Sequence, residues 1–108
     1  MSIGLMLEYA APTKNRDFVP IATEATFHKY WQPGCAALHL HWVPLFQTGL
    51  PLRQEDISSV IDELVRLKHW LSCQMEVAVP QAVILRIEQL IQNLQKVQGD
   101  PQVDVYIG

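Results

Sequence analysis

The chain has 108 residues and a mass of 12.3 kDa, which predicts a single domain over residues 1–108, because two cores would each fall below the size that usually folds alone. Its net charge of −3 and its singly scattered basic residues argue against nucleic acid and against an anionic membrane as partners. A hydrophobic fraction of 49% and a charged fraction of 18% lie on the apolar side of the ordinary range, which suggests that a second copy or another protein covers part of the surface.

The sequence also bears on where the protein resides. No apolar run approaches the roughly 20 residues that a membrane-spanning helix needs, so we expect no membrane segment. The first residues, MSIGLMLEYAAP, have no basic flank and carry Glu8 among their apolar positions, which is unlike a secretory signal. We therefore expect a cytoplasmic protein in which Cys35 and Cys73 are free, buried thiols.

The N-terminal part of the chain predicts a strand and then a loop. Residues 3–9 alternate between apolar side chains on one face and other residues on the second face, which is the period of a half-buried strand. Residues 11–19 hold proline, asparagine and aspartate among small residues, and Pro20 follows them. This composition predicts a loop, and we expect it to be the most mobile segment.

Residues 23–38 fit two structures. In the first, a helix begins with Thr23 as its N-cap and is kinked or broken at Pro33. In the second, residues 32–35 form a type II turn, because proline suits its second position and glycine its third, and the segment is a hairpin. The alanines and the small number of β-branched residues favour the helix.

Two more short segments read as strands, and a third segment between them is only a brief return of the chain. Residues 38–46 alternate, with Leu38, Leu40 and Trp42 on one side and two histidines on the other. Residues 50–53 can run back briefly after a turn at Gly49. At the C-terminus, VDVYI places apolar side chains on one face of a last strand.

Two amphipathic helices are the clearest predicted elements. The first covers residues 54–72, and the second runs from Pro80 to Gln98, with Gly99 closing it. Their apolar positions are Ile57, Val60, Ile61, Leu64, Leu67 and Leu71 in the first, and Val83, Ile87, Leu90, Leu94 and Val97 in the second. Two such seams joined by a short link predict an antiparallel helix hairpin. The predicted fold class is α+β: a small sheet of about three strands, the helix hairpin over one face, and a further short helix after the first strand.

A metal site is the first chemical possibility. His39 and His41 would share one face of a strand, and two imidazoles there can ligate zinc or copper. Cys35 and His28 lie nearby in sequence and complete a weak set of candidate ligands. The spacing matches no known zinc pattern, and histidines on the solvent face of a strand explain the pair more simply. We predict no metal and no cofactor.

Catalysis has equally little support. Cys35 beside a histidine is a candidate nucleophile, but such a pair needs an orienting third group. The helical carboxylates fit a solvated face, matched to the helix dipole, better than an acid and base pair. These carboxylates are Glu55, Asp56, Asp62 and Glu63. No phosphate loop or nucleophile elbow is present, so we expect that the protein is not an enzyme.

Tryptophan is common both in small cores and at the centres of interfaces. We expect Trp31 and Trp42 in the core. Trp70 falls just off the apolar stripe of the first long helix, beside His69, and fits either the edge of the core or an anchor for a partner.

The last helix carries many glutamines away from its apolar stripe, among them Gln89 and Gln92. A polar face with few charges loses little on desolvation, so it can pack against a second copy, although glutamine also suits a solvated helix. Trp70, His69, Gln89 and Gln92 are therefore the predicted interface residues.

The leading hypothesis is a non-catalytic protein-interaction module, of the accessory or immunity kind, that binds a protein partner or forms a homodimer. One alternative is a metal-binding or thiol-dependent enzyme built on His28, Cys35, His39 and His41. Another is a small-molecule-binding domain whose pocket is lined by the tryptophans.

Overall fold

A computed structural model describes residues 2–9, 16–74 and 78–108. The strands are β1 Ser2–Tyr9, β2 Arg16–Thr23, β3 Leu50–Leu52 and β4 Val103–Ile107. The helices are α1 Glu24–Thr26 and α2 Gln32–Leu38, which are joined by a π-helical turn Phe27–Trp31, then α3 Ile57–Ser72 and α4 Gln81–Val97. Short 3-10 helices, Val43–Gln47 and Gln54–Asp56, precede β3 and α3. Across these described ranges, no helix is both long enough and apolar enough to cross a membrane.

The strands form one antiparallel sheet in the order β2-β1-β4-β3. Its inner face is buried: Ile3, Leu5 and Leu7 of β1 lie in the core, and the buried and exposed residues of β4 alternate strictly. The α+β class and the first and last strands agree with the sequence. The sheet has four strands, however, where about three were predicted, and two of its strands are not those expected.

Strand β2 lies where the sequence predicts a loop. Residues 11–15 fall outside the described residues, but residues 16–23 pair along β1, so the loop prediction is wrong from residue 16 onward. Pro20 is tolerated because β2 is an edge strand, where one side of the backbone needs no partner strand. It lies opposite Gly4, where the register shifts. The aromatic and β-branched residues of this segment outweigh its turn-forming residues once β1 supplies a partner.

The helical interpretation of residues 23–38 is confirmed. Thr23 is the N-cap, and its Oγ1 accepts a hydrogen bond of 3.1 Å from the backbone N–H of Thr26. Pro33 has no N–H, and in a regular α-helix its ring would strike the carbonyl four residues earlier. The chain widens into the π-helical turn just before it, in which the N–H of Gln32 donates to the carbonyl of Phe27. The helix therefore continues past Pro33, and the hairpin alternative is wrong.

Helix α2 packs closely on α3 at a glycine. A Cβ at Gly34 would overlap Cδ1 of Leu67 and lie 3.0 Å from Cε3 of Trp70. The contact thus requires a residue without a side chain at this position, although glycine is a poor helix former.

The strand predicted over residues 38–46 does not exist. Helix α2 ends at Leu38, His39 adopts the left-handed conformation with φ 54°, and the 3-10 helix Val43–Gln47 follows. The strand that completes the sheet is β3, Leu50–Leu52, which the sequence identified only as a brief return of the chain.

The period of the buried residues explains this error. Leu40, Val43 and Phe46 are buried at intervals of three, which is the repeat of a 3-10 helix. Leu40 and Phe46 fit both a repeat of three residues and the alternation of a strand. Over so few residues, the pattern therefore does not distinguish a 3-10 helix from a strand.

Helices α3 and α4 pack against each other and cover the inner face of the sheet. Leu64 and Leu90 are fully buried, and Lys68 Nζ lies 3.0 Å from Glu88 Oε1, which joins the C-terminal half of α3 to the N-terminal half of α4. Gly99 follows α4 with φ 86°. These contacts agree with the predicted helix hairpin. The described residues cover the inner face of the sheet and leave its outer face open.

Candidate functional site

The candidate metal ligands do not converge. His28 Nδ1 lies 2.7 Å from Gln32 Oε1 on the surface of residues 24–38, which we call the first helical segment. His39 and His41 are both exposed, but the segment is not a strand, so they do not share a strand face. Within residues 2–9, 16–74 and 78–108, no three His, Cys, Asp or Glu side chains are placed to hold a metal ion.

The two cysteines are free, as predicted, but only one is buried. Burial and the nearby Glu63 carboxylate raise the pKa of the Cys35 thiol to about 12, so very little thiolate is present at neutral pH. Because the thiolate is the nucleophile, this environment disfavours a thiol mechanism at Cys35. Cys73 is exposed, contrary to the prediction, and its Sγ lies 3.8 Å from His69 Nε2.

Glu63 is a buried acid that the sequence placed wrongly on the solvated face of the helix. Its carboxylate accepts hydrogen bonds from three consecutive backbone N–H groups, those of His41, Trp42 and Val43, at 3.0, 2.9 and 3.1 Å. These N–H groups would otherwise lack partners at the start of the 3-10 helix. The signal in the sequence was the position of Glu63, three residues after Val60 on the apolar stripe. Glu63 therefore joins α3 to the segment after α2.

The tryptophans do not line a binding pocket together. Trp31 is fully buried, and its ring centroid lies 5.4 Å from that of Phe27 and 6.3 Å from that of Phe46. No described residue hydrogen-bonds to its Nε1. Trp42 and Trp70 are half-buried at the edge of the core. Core packing is thus confirmed for Trp31 and is only partial for Trp42.

The four predicted interface residues lie on α3 and α4. Trp70 borders a small depression of about 80 Å³ beside Tyr30. Gln92 borders a shallow groove between α3 and α4, whereas His69 and Gln89 are simply exposed.

A row of side chains crosses the outer face of the sheet, with one residue from each strand. Phe18 pairs with Met6, Met6 with Tyr106, and Tyr106 with Pro51, and we call these four residues the aromatic row. Phe18 is 56% exposed and Tyr106 is 42% exposed, although both are large apolar side chains. Exposed apolar residues are ordinary when single, but a contiguous row is a feature of interaction sites.

Glycines allow both rings to lie close to the sheet. A Cβ at Gly4 would overlap the ring of Phe18, and a Cβ at Gly49 or Gly108 would meet the ring of Tyr106. The rings of Phe18 and Tyr106 therefore lie against the backbone of the sheet, and their exposed faces form a nearly flat apolar surface.

The next row of residues on the same face carries charges of both signs. Glu8 and Asp104 are directly paired across β1 and β4, and Arg16 of β2 is the register partner of Glu8. Glu8, Asp104 and Arg53 border a depression of about 300 Å³ on this face, and Arg53 Nη1 lies 3.6 Å from Glu55 Oε1. We call Glu8, Asp104, Arg16 and Arg53 the charged margin of the open face.

A cleft of about 320 Å³ lies elsewhere, where the end of β2 meets the first helical segment and the start of α4. Its lining is mostly apolar and includes Ile21 and Val83, with the Tyr30 ring on one wall. Arg86 borders the cleft, and its Nη1 donates a hydrogen bond of 3.2 Å to the carbonyl of Pro20.

Comparisons with models of protein families, with curated proteins and with solved structures return no match to this chain. Function must therefore be inferred from the physical chemistry of these surfaces. The open face and the cleft are the two that combine an apolar surface with a defined arrangement of charge.

Proposed function

We propose that this protein is a non-catalytic interaction module that binds a partner protein on the open face of its sheet. The single observation that carries this proposal is the aromatic row, which spans all four strands and whose two aromatic rings remain exposed. Aromatic residues and methionine are enriched at the centres of protein interfaces, where they supply most of the binding free energy. Covering this row would also account for the high hydrophobic content of the chain.

The charges beside the row indicate the chemistry of the partner. The charged margin holds acidic and basic residues, so it favours a partner that presents apolar side chains to the row and charges of both signs next to them. A second copy of this chain would instead bring another molecule of net charge −3 to the same face. We therefore propose a different protein as the partner.

Aromatic residues on a sheet can also stack against the bases of single-stranded nucleic acid. Such platforms lie in positively charged grooves, because the phosphates must be neutralised. Here the charged margin contains as many acidic as basic residues, so the described residues beside the aromatic row do not form a positively charged strip. This arrangement favours a protein over a nucleic acid.

The docking surface we propose differs from the one predicted from the sequence. Trp70, His69, Gln89 and Gln92 belong to α3 and α4, which pack on the opposite face of the sheet. We further propose that the protein works in the cytoplasm, where reducing conditions keep both thiols free.

The test is photo-crosslinking in the cells that make the protein. The photoreactive amino acid p-benzoylphenylalanine replaces Phe18 in one version of the chain and Tyr106 in a second. A third version carries it at Leu85, which is 46% exposed on α4 and serves as the matched control. We expect one protein adduct of the same mass from the first two positions and none from the third. Adding Tyr106→Asp to the first version should abolish its adduct, whereas Leu85→Asp should leave it unchanged.

Four outcomes would overturn the proposal. The absence of an adduct at positions 18 and 106 would show that nothing covers the row. Equal adducts from all three positions would indicate non-specific contact. An adduct that contains only this chain would replace the partner with a second copy, and one that nuclease removes would replace it with nucleic acid.

A further inference from the structure

The cleft beside Arg86 has the features of a small-ligand site that is separate from the open face of the sheet. It is bordered by the end of β2, the first helical segment and the first two turns of α4, so three elements distant in sequence build it. Its volume of about 320 Å³ lies at the lower limit of ligand pockets, which hold roughly 300–1,000 Å³. At about 30 Å³ for each water molecule, it holds on the order of ten waters.

The floor and walls of the cleft are mainly apolar. Ile21 and Val83 are buried but border the cavity, and Pro20, Ala82 and the half-buried ring of Tyr30 extend the apolar surface. An apolar ligand body would displace water from this surface, which is favourable at about 25 cal/mol per Å² of apolar area.

Arg86 gives the cleft its charge. Its side chain is fixed at one point, where Nη1 donates to the carbonyl of Pro20. A guanidinium has five N–H donors, so most of them remain for a ligand. Among the described residues, Arg86 has no ion-pair partner, and none of the residues lining the cleft is acidic. The first turn of α4 borders the same cavity. The N-terminal end of the helix dipole is positive, so it adds to the positive charge of Arg86.

From this combination we propose that the cleft binds a small organic carboxylate, with its apolar body against Ile21 and Val83 and its carboxylate on Arg86. A guanidinium matches a carboxylate in geometry, because two parallel N–H groups can bond its two oxygens. A phosphate dianion would be a poorer match, since Arg86 is the single cation among the described residues of the cleft and the remaining lining is largely apolar. Tyr30 and the threonines of the lining, Thr23 and Thr26, supply hydroxyl groups for a polar substituent.

A titration followed by two-dimensional ¹H–¹⁵N NMR tests this site. The probe is 2-naphthoate, which joins an apolar ring system to one carboxylate, and the comparison probe is 2-naphthamide, which has the same shape without the charge. We expect saturable shifts at Ile21, Ala82 and Val83 with 2-naphthoate, and an apparent Kd at least tenfold weaker for 2-naphthamide.

Two variants and one control locate the binding. Arg86→Gln should weaken 2-naphthoate binding by about tenfold or more, because it removes the charged, two-point contact. Ala82→Trp should abolish binding by filling the cleft from an exposed helix position, with the NMR spectrum still that of a folded protein. Arg66→Gln is the matched control, since Arg66 Nη2 also donates to a backbone carbonyl, that of Leu38, but lies outside the cleft.

The results separate this site from the docking surface. Equal affinity for the two probes, equal loss of binding in Arg86→Gln and Arg66→Gln, or no saturable shift would each overturn the proposal. Saturable shifts centred on Phe18 and Tyr106 would also overturn it, because the probe would then report the aromatic row.

Discussion

The two thiols lie in different environments, and their chemistry should differ accordingly. Burial and the Glu63 carboxylate hold the pKa of Cys35 near 12, whereas Cys73 is exposed beside His69. At pH 8 we expect 5,5′-dithiobis(2-nitrobenzoate) to modify one thiol rapidly in the native protein and the second only after unfolding. The Cys73→Ser variant should lose the rapid phase, and the Cys35→Ser variant should retain it.

The same pKa shift makes stability depend on pH in a definite direction. The folded protein binds the Cys35 proton more tightly than the unfolded chain, whose thiol has its ordinary pKa of 9.0. The stability from this shift is fully present below pH 9 and is lost as the pH rises from 9 toward 12. Removing the thiol with Cys35→Ala should flatten this alkaline loss of stability.

In the thiol-modification experiment, rapid modification of Cys35 in the native protein at pH 8 would contradict the buried, protonated thiol.

Among the elements, α3 is hydrogen-bonded to the start of the 3-10 helix Val43–Gln47 through the side chain of Glu63. In Glu63→Ala, up to three backbone N–H groups lose their acceptor in a largely buried place. An unsatisfied buried group costs about 1–3 kcal/mol, and water can reach part of this site, so we expect a total loss of about 3 kcal/mol in the free energy of unfolding. Urea denaturation measures this loss.

The matched control lies one position earlier. Asp62 is exposed on the same helix, so Asp62→Ala should change the free energy of unfolding by no more than about 0.5 kcal/mol. Equal effects of the two substitutions would show that Glu63 does not cap the 3-10 helix.

The sequence predicts elements well where the pattern is long and local. The helices around Leu64 and Leu90 show several turns of a 3.6-residue period, and both residues are fully buried. Strand β2 and the 3-10 helix Val43–Gln47 were missed because each takes its structure from a distant partner, β1 in the first case and Glu63 in the second. Local patterns do not contain that information.

The candidate sites were less predictable than the fold, for a similar reason. The aromatic row exists because Phe18, Met6 and Tyr106 have adjacent registers on three strands, and register is a tertiary property. The cleft likewise joins Pro20 to Arg86, which are 66 residues apart. The histidines were candidate metal ligands and the tryptophans candidate pocket residues. Among the described residues, the histidines belong to no group that could hold a metal ion, and Trp31 is buried in the core.

On the scale of the whole molecule, one contiguous core connects the sheet with the helices. It includes residues of all four strands, of the first helical segment and of α3 and α4. Because no described element has a core of its own, the single domain predicted from the sequence should unfold as one cooperative unit. Phe18, Tyr106 and Arg86 lie outside this core, so substitutions at these three positions can alter binding with small effects on stability.

A core substitution tests this cooperativity. Leu90 is fully buried on α4, and Leu90→Ala should lower the free energy of unfolding by about 2–5 kcal/mol, because it removes apolar contacts and leaves a cavity. Leu85→Ala, at an exposed position of the same helix, should change it by no more than about 0.5 kcal/mol. Far-UV circular dichroism, which follows the helices, and the fluorescence of the tryptophans should show one coincident transition in urea for each variant. Two separated transitions in Leu90→Ala would mean that the helices unfold independently of the rest, and the single core would then be wrong.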